Sequence, residues 1–323
     1  MPVYLSSFYL PVSEEESILK AQMLKNAGKF KLTGDKLVYE SAASPTFGYI
    51  DNPYPCGIFG GMELFDLSFS GMTILYGGNG SGKSTLLNLI AKRLNLKRTA
   101  PHNSGELFDL YASKCDYSLG CDDEGEEYEI PEGSRILTSD DVFDYMLAAR
   151  TNNEEIGEAI DIGKAQYAAL KFGDTVPFTG LEDYETHRLQ VLTRSKSLTR
   201  RKFLRQMVGS ETRLYSNGET ALSFFEDKLK NDTLYCLDEP ENSMAPAMQL
   251  ELAERLSELV RFCGCQLIIA THSPFLLAMK GARIYDLDSR PAAVKNWWEL
   301  ENTRIWFDFF EKHRGLFTND PTR

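Results

Sequence analysis

A glycine-rich run that ends in a lysine and two hydroxyl side chains is the part of this sequence best suited to chemistry. The run consists of Gly77, Gly78, Asn79, Gly80, Ser81, Gly82, Lys83, Ser84 and Thr85. It fits the spacing G-x-x-x-x-G-K-[ST] at every fixed position. Such glycines let the backbone turn its N–H groups inward as a cup for phosphate. Lys83 could then reach the β- and γ-phosphates of ATP, and the Ser84 hydroxyl could ligate Mg²⁺.

The segments before and after the glycine-rich run are predicted to form the strand and the helix that flank such a loop. Residues 72–76 form a short apolar run typical of a strand, and the sequence of residues 86–91 is typical of a helix. The start of that helix would add partial positive charge to the cup. The combination predicts a nucleotide site, and a glycine-rich turn with an unrelated lysine is the alternative.

An acidic pair follows a second apolar run. Residues 233–237 are continuously apolar, as in a parallel strand that is buried on both faces, and Asp238 and Glu239 come next. Ligands of open α/β sheets bind at the carboxyl ends of the strands. We therefore predict that Asp238 holds Mg²⁺ through water and that Glu239 polarises the water that attacks the γ-phosphate.

Two further stretches carry candidate site residues. His272 follows the strand predicted at residues 266–270, where a neutral imidazole could hydrogen-bond the γ-phosphate or the attacking water. A structural histidine is the alternative. Ser216, Gly218 and Glu219 open a predicted helix at residues 220–229, and the N–H groups of that helix start form a second candidate anion site. An ordinary capped helix explains the same residues.

The composition bounds the class of protein. The chain has 323 residues and a net charge of −12, which argues against a surface that coats nucleic acid everywhere. Apolar runs fall short of the roughly 18 residues of a membrane span, and the first residues do not read as a signal peptide. The six cysteines form no C-x-x-C pair, which favours a reducing cytoplasm, with a disulfide between Cys115 and Cys121 as a minor alternative.

The remaining segments predict how the chain is organised. Residues 1–10 alternate like an edge strand, residues 13–31 have a helical pattern and residues 30–39 fit a hairpin. Residues 96–133 are predicted to be irregular and acidic, and a helix is predicted to follow a cap at residues 139–141. The aromatic stretch 297–309 is predicted to pack a terminal helix onto the sheet.

In order and spacing these motifs resemble the ABC-type ATPases. The closest resemblance is to the soluble AAA-family ATPases with an ABC-type, SMC-like head. Five stretches carry it: Tyr54 to Ile58, Thr73 to Thr85, Ser216 to Glu219, Leu237 to Glu241 and Ala270 to Pro274. The resemblance implies an α/β fold with a mostly parallel P-loop NTPase sheet, an antiparallel β edge and a helical signature subdomain. It also implies one domain over residues 1–323, with insertions at about 11–50 and 96–133 and a helical subdomain at about 139–230.

The same resemblance implies a mechanism shared by two chains. Ser216 and Gly218 would contact the γ-phosphate bound to a second subunit, so that two ATP molecules lie between two head-to-tail chains. The implied function is Mg²⁺-dependent ATP hydrolysis as an ATP-driven dimerisation switch, in DNA maintenance or a defence complex. A nucleotide-binding subunit of a membrane transporter is the alternative, and a small-molecule kinase is disfavoured by Ser216–Glu219 and His272.

Three departures from the pattern bear on these alternatives. Transporter ATPases carry a glutamine that residues 136–141 lack, and Ser139 or Asp140 is the candidate substitute. Ala245 stands where a polar residue is common, and Asn217 replaces the first glycine of the signature. The missing glutamine favours the soluble switch over the transporter subunit.

A cluster of basic residues precedes the signature. Its members are Arg194, Lys196, Arg200, Arg201, Lys202 and Arg205. In the chromosome-maintenance and repair ATPases that the chain resembles, this region faces DNA or a partner. A solvated helix face is the other interpretation, so nucleic-acid binding stays open here.

Overall fold

The computed structural model describes residues 2–12, 14–19, 30–33, 36–39, 54–174, 184–195, 197–200, 202–204 and 217–318. The chain divides into two compact units. The first comprises Met1–Val142 and Phe224–Arg323, and the second comprises Phe143–Ser223.

The elements follow one another in chain order. The strands are β1 (Leu5–Tyr9), β2 (Phe30–Thr33), β3 (Lys36–Tyr39), β4 (Asp66–Ser68), β5 (Met72–Tyr76), β6 (Asp116–Leu119), β7 (Arg135–Thr138), β8 (Leu234–Asp238), β9 (Gln266–Ala270), β10 (Arg283–Asp286) and β11 (Ala293–Val294). The helices are α1 (Lys83–Arg93), α2 (Glu106–Lys114), α3 (Ser139–Phe172), α4 (Tyr184–Arg194), α5 (Asn217–Lys228), α6 (Pro246–Phe262), α7 (Pro274–Leu277), α8 (Glu301–Lys312) and α9 (Arg314–Thr318). Residues 14–19 and 202–204 are also helical.

The main sheet of the first unit has the strand order β11–β10–β5–β9–β8–β7 among the described residues. All neighbouring pairs are parallel except β10 and β11. Every residue of β5 and β9 is buried, as expected of parallel strands covered on both faces. The α/β fold with a mostly parallel sheet is therefore confirmed, and the three predicted site strands lie side by side.

A second, antiparallel sheet has the order β4–β1–β6. The prediction of an edge strand at the N-terminus is wrong, because β1 is the middle strand and pairs on both sides. Its side chains Leu5 and Phe8 are fully buried. Residues 96–133 contain α2 and β6 and are only partly irregular. The acidic insertion therefore contributes a strand that the antiparallel sheet needs.

Gln266 joins the two sheets through its side chain. It is fully buried, its Oε1 accepts the Leu5 N–H at 2.8 Å, and its Nε2 donates to the Leu5 carbonyl at 2.8 Å. The Nε2 group also donates to the Ser70 carbonyl at 3.1 Å. An amide that pairs with a backbone N–H and C=O in this way satisfies groups that burial would otherwise leave unpaired.

Helix α3 starts within the segment that was predicted to cap it. It begins at Ser139 rather than behind it, and it runs without a break for 34 residues. The first turn is held by Asp141, which accepts the Thr138 backbone N–H at 2.8 Å and the Thr138 hydroxyl at 3.0 Å. Thr138 is therefore the N-cap residue, and the Asp141 side chain accepts its backbone N–H, as the third helical residue does in a capping box.

The terminal helix α8 does not bury its aromatic side chains in the described structure, contrary to the prediction that it packs onto the sheet. Trp306, Phe307, Phe309 and Phe310 are each about half exposed. Among the residues of α8, Thr303 is the buried one. Leu300, which precedes the helix, is fully buried and fixes its start.

The second unit is helical where it is described. Tyr167, Leu198 and Phe203 form its buried cluster, with leucines of α3 and α4 packed around them. The hairpin predicted at residues 30–39 is confirmed by the antiparallel pairing of β2 and β3, although residues 34 and 35 lie outside the described residues. Throughout the described part of the chain, every helix is too short or too polar to cross a membrane.

Candidate active site

The glycine-rich loop connects β5 to α1 as predicted, and its glycines are required by close contacts. A Cβ atom at Gly77 would lie 2.7 Å from the Ser81 Cβ and 3.2 Å from the Asp288 Oδ1. Gly82 precedes α1 with a φ of 91°, where a Cβ atom would lie 2.7 Å from the Ile58 Cγ2. The left-handed backbone and the lack of space both favour glycine. Ser81 Oγ is buried and has no hydrogen-bond partner within the described structure.

Lys83 lies beneath the loop. Its ammonium donates to the Gly77 carbonyl at 2.8 Å and to the Gly78 carbonyl at 3.1 Å. The side chain is only 4% exposed, and Nζ is 3.8 Å from the Glu239 Oε1. A buried ammonium needs such partners because its own desolvation is costly. The lysine is thus held at the loop, one ion-pair distance from the acid at the end of β8.

Ser84 and Asp238 approach each other at the expected metal position. The Ser84 hydroxyl donates to the Asp238 Oδ1 at 3.0 Å. The pKa of Asp238 is raised to about 6, mainly by burial, against which the Ser84 hydrogen bond acts to lower it; the nearby Glu239 charge also contributes to the rise. A carboxylate whose charge is disfavoured in this way is suited to a cation. The residues fit Mg²⁺, which binds through one or two protein oxygens together with phosphate oxygens and water.

Glu239 and His272 meet at the carboxyl ends of neighbouring strands. Glu239 has a φ of 49°, an uncommon backbone conformation for a residue with a side chain. Its Oε2 accepts from the Asn242 amide at 3.0 Å, and its Oε1 lies 3.7 Å from the His272 Nδ1. The His272 side chain is 47% exposed. The carboxylate and the imidazole are therefore accessible on the same edge of the sheet as the glycine-rich loop.

Three site residues were not assigned a role from the sequence. The Tyr54 hydroxyl donates to the Thr85 Oγ1 at 3.3 Å, and the Asp288 Oδ2 accepts the Gly78 N–H at 2.7 Å. Glu241 is buried behind His272. Tyr54 and Glu241 belong to stretches that the resemblance had marked. For Asp288 no sequence signal exists, since it is 210 residues away in the chain from Gly78.

The signature residues and the basic cluster belong to the second unit. Ser216 lies outside the described residues, whereas Gly218 and the exposed Glu219 lie in the first turn of α5. Lys196, Arg201 and Arg205 also lie outside the described residues, and Arg200 and Lys202 are exposed.

Arg194 has a structural task within the second unit. Its guanidinium donates to the Leu170 carbonyl at 3.4 Å and to the Gly173 carbonyl at 2.5 Å. These carbonyls lie at the end of α3, where helix carbonyls lack intrahelical donors.

Comparison with known protein families finds a match over part of the chain. A family model described as "AAA domain, putative AbiEii toxin, Type IV TA system" matches residues 170–278, about a third of the chain. No curated protein matches the sequence.

Solved structures with a related architecture are distant. The ATP-binding cassette MJ0796 in a dimeric post-hydrolysis state with ADP and Pi is 14% identical, with a TM-score of 0.31 over 80% of this chain and 90% of that one. The Smc head domain of Pyrococcus furiosus bound to the C-terminal domain of ScpA is 13% identical, with a TM-score of 0.36 over 77% and 95%. The protein cbiO1 of Clostridium perfringens, part of the ABC transporter complex cbiONQ, is 16% identical, with a TM-score of 0.31 over 79% and 87%.

These scores are too low to carry functional conclusions, so the assignment of the fold rests on this chain's own features. The glycine-rich loop follows β5, which lies between β9 and β10, and the acid-bearing β8 lies beside β9. An antiparallel sheet and a helical unit complete the architecture. The chain therefore has an α/β fold of the P-loop NTPase type, and its residues 170–278 are similar to the AAA-domain family.

Proposed function

We propose that this protein binds ATP with Mg²⁺ and hydrolyses its β–γ phosphoanhydride bond. The observation that supports this most directly is the convergence of Lys83, Glu239 and His272 beside the glycine-rich loop. The three side chains come from the start of α1 and from the ends of β8 and β9, yet Glu239 Oε1 lies 3.8 Å from Lys83 Nζ and 3.7 Å from His272 Nδ1. A site for phosphoryl transfer needs this combination of a cation, a base and a hydrogen-bonding group.

Each site residue has a distinct part in the proposed reaction. The N–H groups of residues 77–85 hold the phosphates, and Lys83 leaves the Gly77 and Gly78 carbonyls to contact the β- and γ-phosphates. Ser84 and Asp238 hold Mg²⁺, which when bound neutralises charge on the phosphate oxygens. Glu239 orients the attacking water and accepts its proton, and His272 hydrogen-bonds the γ-phosphate.

The proposed product of ATP binding is a homodimer. Ser216, Gly218 and Glu219 of each chain would contact the nucleotide of the other, so that binding closes the dimer and hydrolysis opens it. The helix start at Asn217 supports this part, because its N–H groups face outward from a helix terminus and favour anions. We infer that the cycle serves as a switch in DNA maintenance or a defence complex, within one ATPase domain over residues 1–323.

The first experiment measures steady-state ATP hydrolysis by the wild-type protein and two variants. Glu239→Gln should abolish turnover while ATP binding persists, because the amide keeps the hydrogen bonds but cannot accept the proton. Lys83→Ala should weaken ATP binding measured by calorimetry, because the buried cation is gone. Wild-type turnover in Glu239→Gln would refute the assigned base, and undiminished affinity in Lys83→Ala would refute its phosphate role.

Nucleic-acid binding is a second candidate property, supported by the exposed Arg200 and Lys202. Arg194 supports it less, since its guanidinium is occupied by helix carbonyls. We expect Arg200→Glu with Lys202→Glu to weaken DNA binding and to flatten its dependence on salt. An unchanged salt slope would exclude this surface.

We place the protein in the cytoplasm. The thiols of Cys115, Cys121, Cys236, Cys263 and Cys265 are all free, so the disulfide considered for the first two is absent. Burial raises the pKa of Cys115 to about 12, which keeps that thiol protonated and unreactive. Free thiols of this kind suit a reducing compartment.

A further inference from the structure

A buried carboxylate lies behind the imidazole of the active site. Glu241 is 4% exposed. Its Oε1 accepts hydrogen bonds from the Thr271 hydroxyl and from the His272 backbone N–H, the latter at 3.2 Å. Its Oε2 has no hydrogen-bond partner within the described structure. Burying a carboxylate is unfavourable, so a residue that only filled space here would be better apolar.

We propose that Glu241 is a positioning residue, which holds the turn at residues 271–273 so that the His272 imidazole stays beside Glu239. This inference rests on the proposed ATP hydrolysis and assigns a further residue to it. Glu241 does not reach the reacting atoms itself in this arrangement. It acts through the backbone of His272, whose ring lies 3.9 Å from the same Oε1 atom.

The exposure of the two residues explains why such a support is needed. The His272 side chain is 47% exposed, so neighbouring atoms leave much of the imidazole uncovered. Thr271, by contrast, is fully buried, and its hydroxyl is held by the buried Glu241 side chain. Hydrogen bonds that hold Thr271 and the backbone of His272 therefore restrict the His272 imidazole, which packing leaves largely uncovered.

The turn is also held from its far side. The Ser273 backbone N–H donates to the Thr271 Oγ1 at 3.0 Å, which makes the threonine hydroxyl a link between Ser273 and Glu241. The Ser273 hydroxyl donates to the Gln249 Oε1 at 2.7 Å, and the Gln249 amide donates to the Met244 carbonyl at 2.9 Å. The loop after β8 and the turn after β9 thus share a continuous hydrogen-bonded network.

The strand ends alone would not fix the imidazole. The Glu239 N–H donates to the Ala270 carbonyl at 2.9 Å, which ties the end of β8 to the end of β9. The Thr271 N–H likewise donates to the Leu75 carbonyl at 3.2 Å, so both bonds act on the strand ends and neither acts on His272. The hydrogen bond to the His272 N–H comes from Glu241, which also accepts from the Thr271 hydroxyl.

The test compares two substitutions of Glu241 by steady-state ATP hydrolysis and by ATP-binding calorimetry. Glu241→Gln keeps an oxygen acceptor for both donors and should retain kcat within about threefold. Glu241→Ala removes the acceptor, so kcat should fall on the order of 100-fold, as for a displaced catalytic group. KM and the Kd for ATP should stay within about twofold, because the glycine-rich loop is untouched.

The decisive control uses a background without the imidazole. In a His272→Ala protein, adding Glu241→Ala should lower kcat by less than about twofold, because the residue acts through His272. An equal loss in both backgrounds overturns the proposal, and so does an equal loss in Glu241→Gln and Glu241→Ala. A wild-type protein without ATPase activity would instead contradict the proposed function, and it would do so before any variant is compared.

A second pair of variants keeps the test open if Glu241→Ala fails to fold. Thr271→Val preserves the shape of a buried side chain but removes the hydroxyl that donates to Glu241, and kcat should fall roughly tenfold. Thr271→Ser keeps the hydroxyl and should retain most of the activity. Equal activities of the valine and serine variants would overturn the proposal.

Discussion

Asp238 carries a charge that its surroundings disfavour. Burial raises the pKa of its carboxyl from 3.8 to about 6. Between these two values the native protein holds a proton that the unfolded chain has lost. The contribution of this group to stability is therefore most favourable below about pH 4 and is lost as the pH rises through about 6. A bound cation would reverse that loss, which is the behaviour expected of a metal ligand.

We accordingly predict that Asp238→Asn stabilises the metal-free protein while removing its activity. Asparagine stays neutral and keeps an oxygen for the Ser84 hydroxyl. Above pH 6 the free energy of unfolding should increase by about 1–2 kcal/mol, and below pH 4 the two proteins should be equal. Thermal unfolding in EDTA across pH 4–8 measures this, and ATP hydrolysis is assayed with Mg²⁺. A variant that is less stable at pH 8 would contradict the assigned environment.

The close approach of Gly77 and Ser81 leads to a second prediction. Gly77→Ala introduces a Cβ atom 2.7 Å from the Ser81 Cβ, so the loop must open and its N–H groups lose their common direction. We expect the Kd for ATP to rise at least about tenfold. Gly105→Ala is the matched control, because that residue has extended backbone and nothing lies within 4 Å of the added atom. Equal affinities of the two variants would show that the loop tolerates the change.

Single residues also show what sequence patterns can and cannot predict. The proximity of Lys83, Ser84, Asp238, Glu239 and His272 was predictable, because each lies at a strand end or in a fixed spacing. The contact of Asp288 with Gly78 depends on how β10 pairs with β5, which no local pattern specifies. The role inferred for Glu241 likewise required its distances to Thr271 and His272.

At the scale of secondary-structure elements, hydrogen bonds of polar side chains join the two sheets of the first unit. The buried amide of Gln266 pairs with both backbone groups of Leu5, and the Tyr4 hydroxyl donates to the Gly264 carbonyl at 3.1 Å. These contacts link the start of β1 to the start of β9.

Gln266→Leu should therefore weaken the association of the two sheets. The substitution leaves the N–H and C=O of Leu5 without partners in a dry environment, and we expect a loss of about 2–4 kcal/mol of unfolding free energy. Tyr4→Phe, the milder comparison, removes one hydrogen bond and should cost about 0.5–1.5 kcal/mol. Urea denaturation followed by tryptophan fluorescence measures both. If Gln266→Leu were as stable as Tyr4→Phe, the Gln266 amide would not be holding the two sheets together.

Helix α8 shows where pattern reasoning fails at the same scale. The aromatic content of residues 297–309 correctly predicts an apolar helix face, but it does not determine what covers that face. In the structure that face is half exposed at Trp306 and Phe310, whose rings stack on each other at 6.0 Å.

For the whole molecule, the parallel sheet was predictable because continuous apolar runs followed by polar site residues occur three times along the chain. The antiparallel sheet was harder, since β1, β4 and β6 are short and come from distant segments. Its strand β6 lies within an acidic insertion, and its own residues are intermediate or exposed. Charge and partial exposure therefore concealed this element, which pairs with β1.

The largest-scale prediction concerns association of two chains. Each chain carries a net charge of −12, so two copies repel each other over long distances and this repulsion is screened by salt. Closure around two shared nucleotides must overcome the repulsion. The Glu239→Gln protein should therefore remain monomeric without nucleotide and become dimeric in MgATP, more completely at higher salt.

Light scattering coupled to size-exclusion chromatography tests this, because the dimer should have twice the 36.5 kDa mass of one chain. Lys83→Ala in the same background is the control and should stay monomeric, since its phosphate contact is lost. Salt distinguishes closure around ATP from loose electrostatic pairing, which would weaken as ions are added. A Glu239→Gln protein that binds MgATP yet stays monomeric at high concentration would leave the nucleotide site intact and refute the switch.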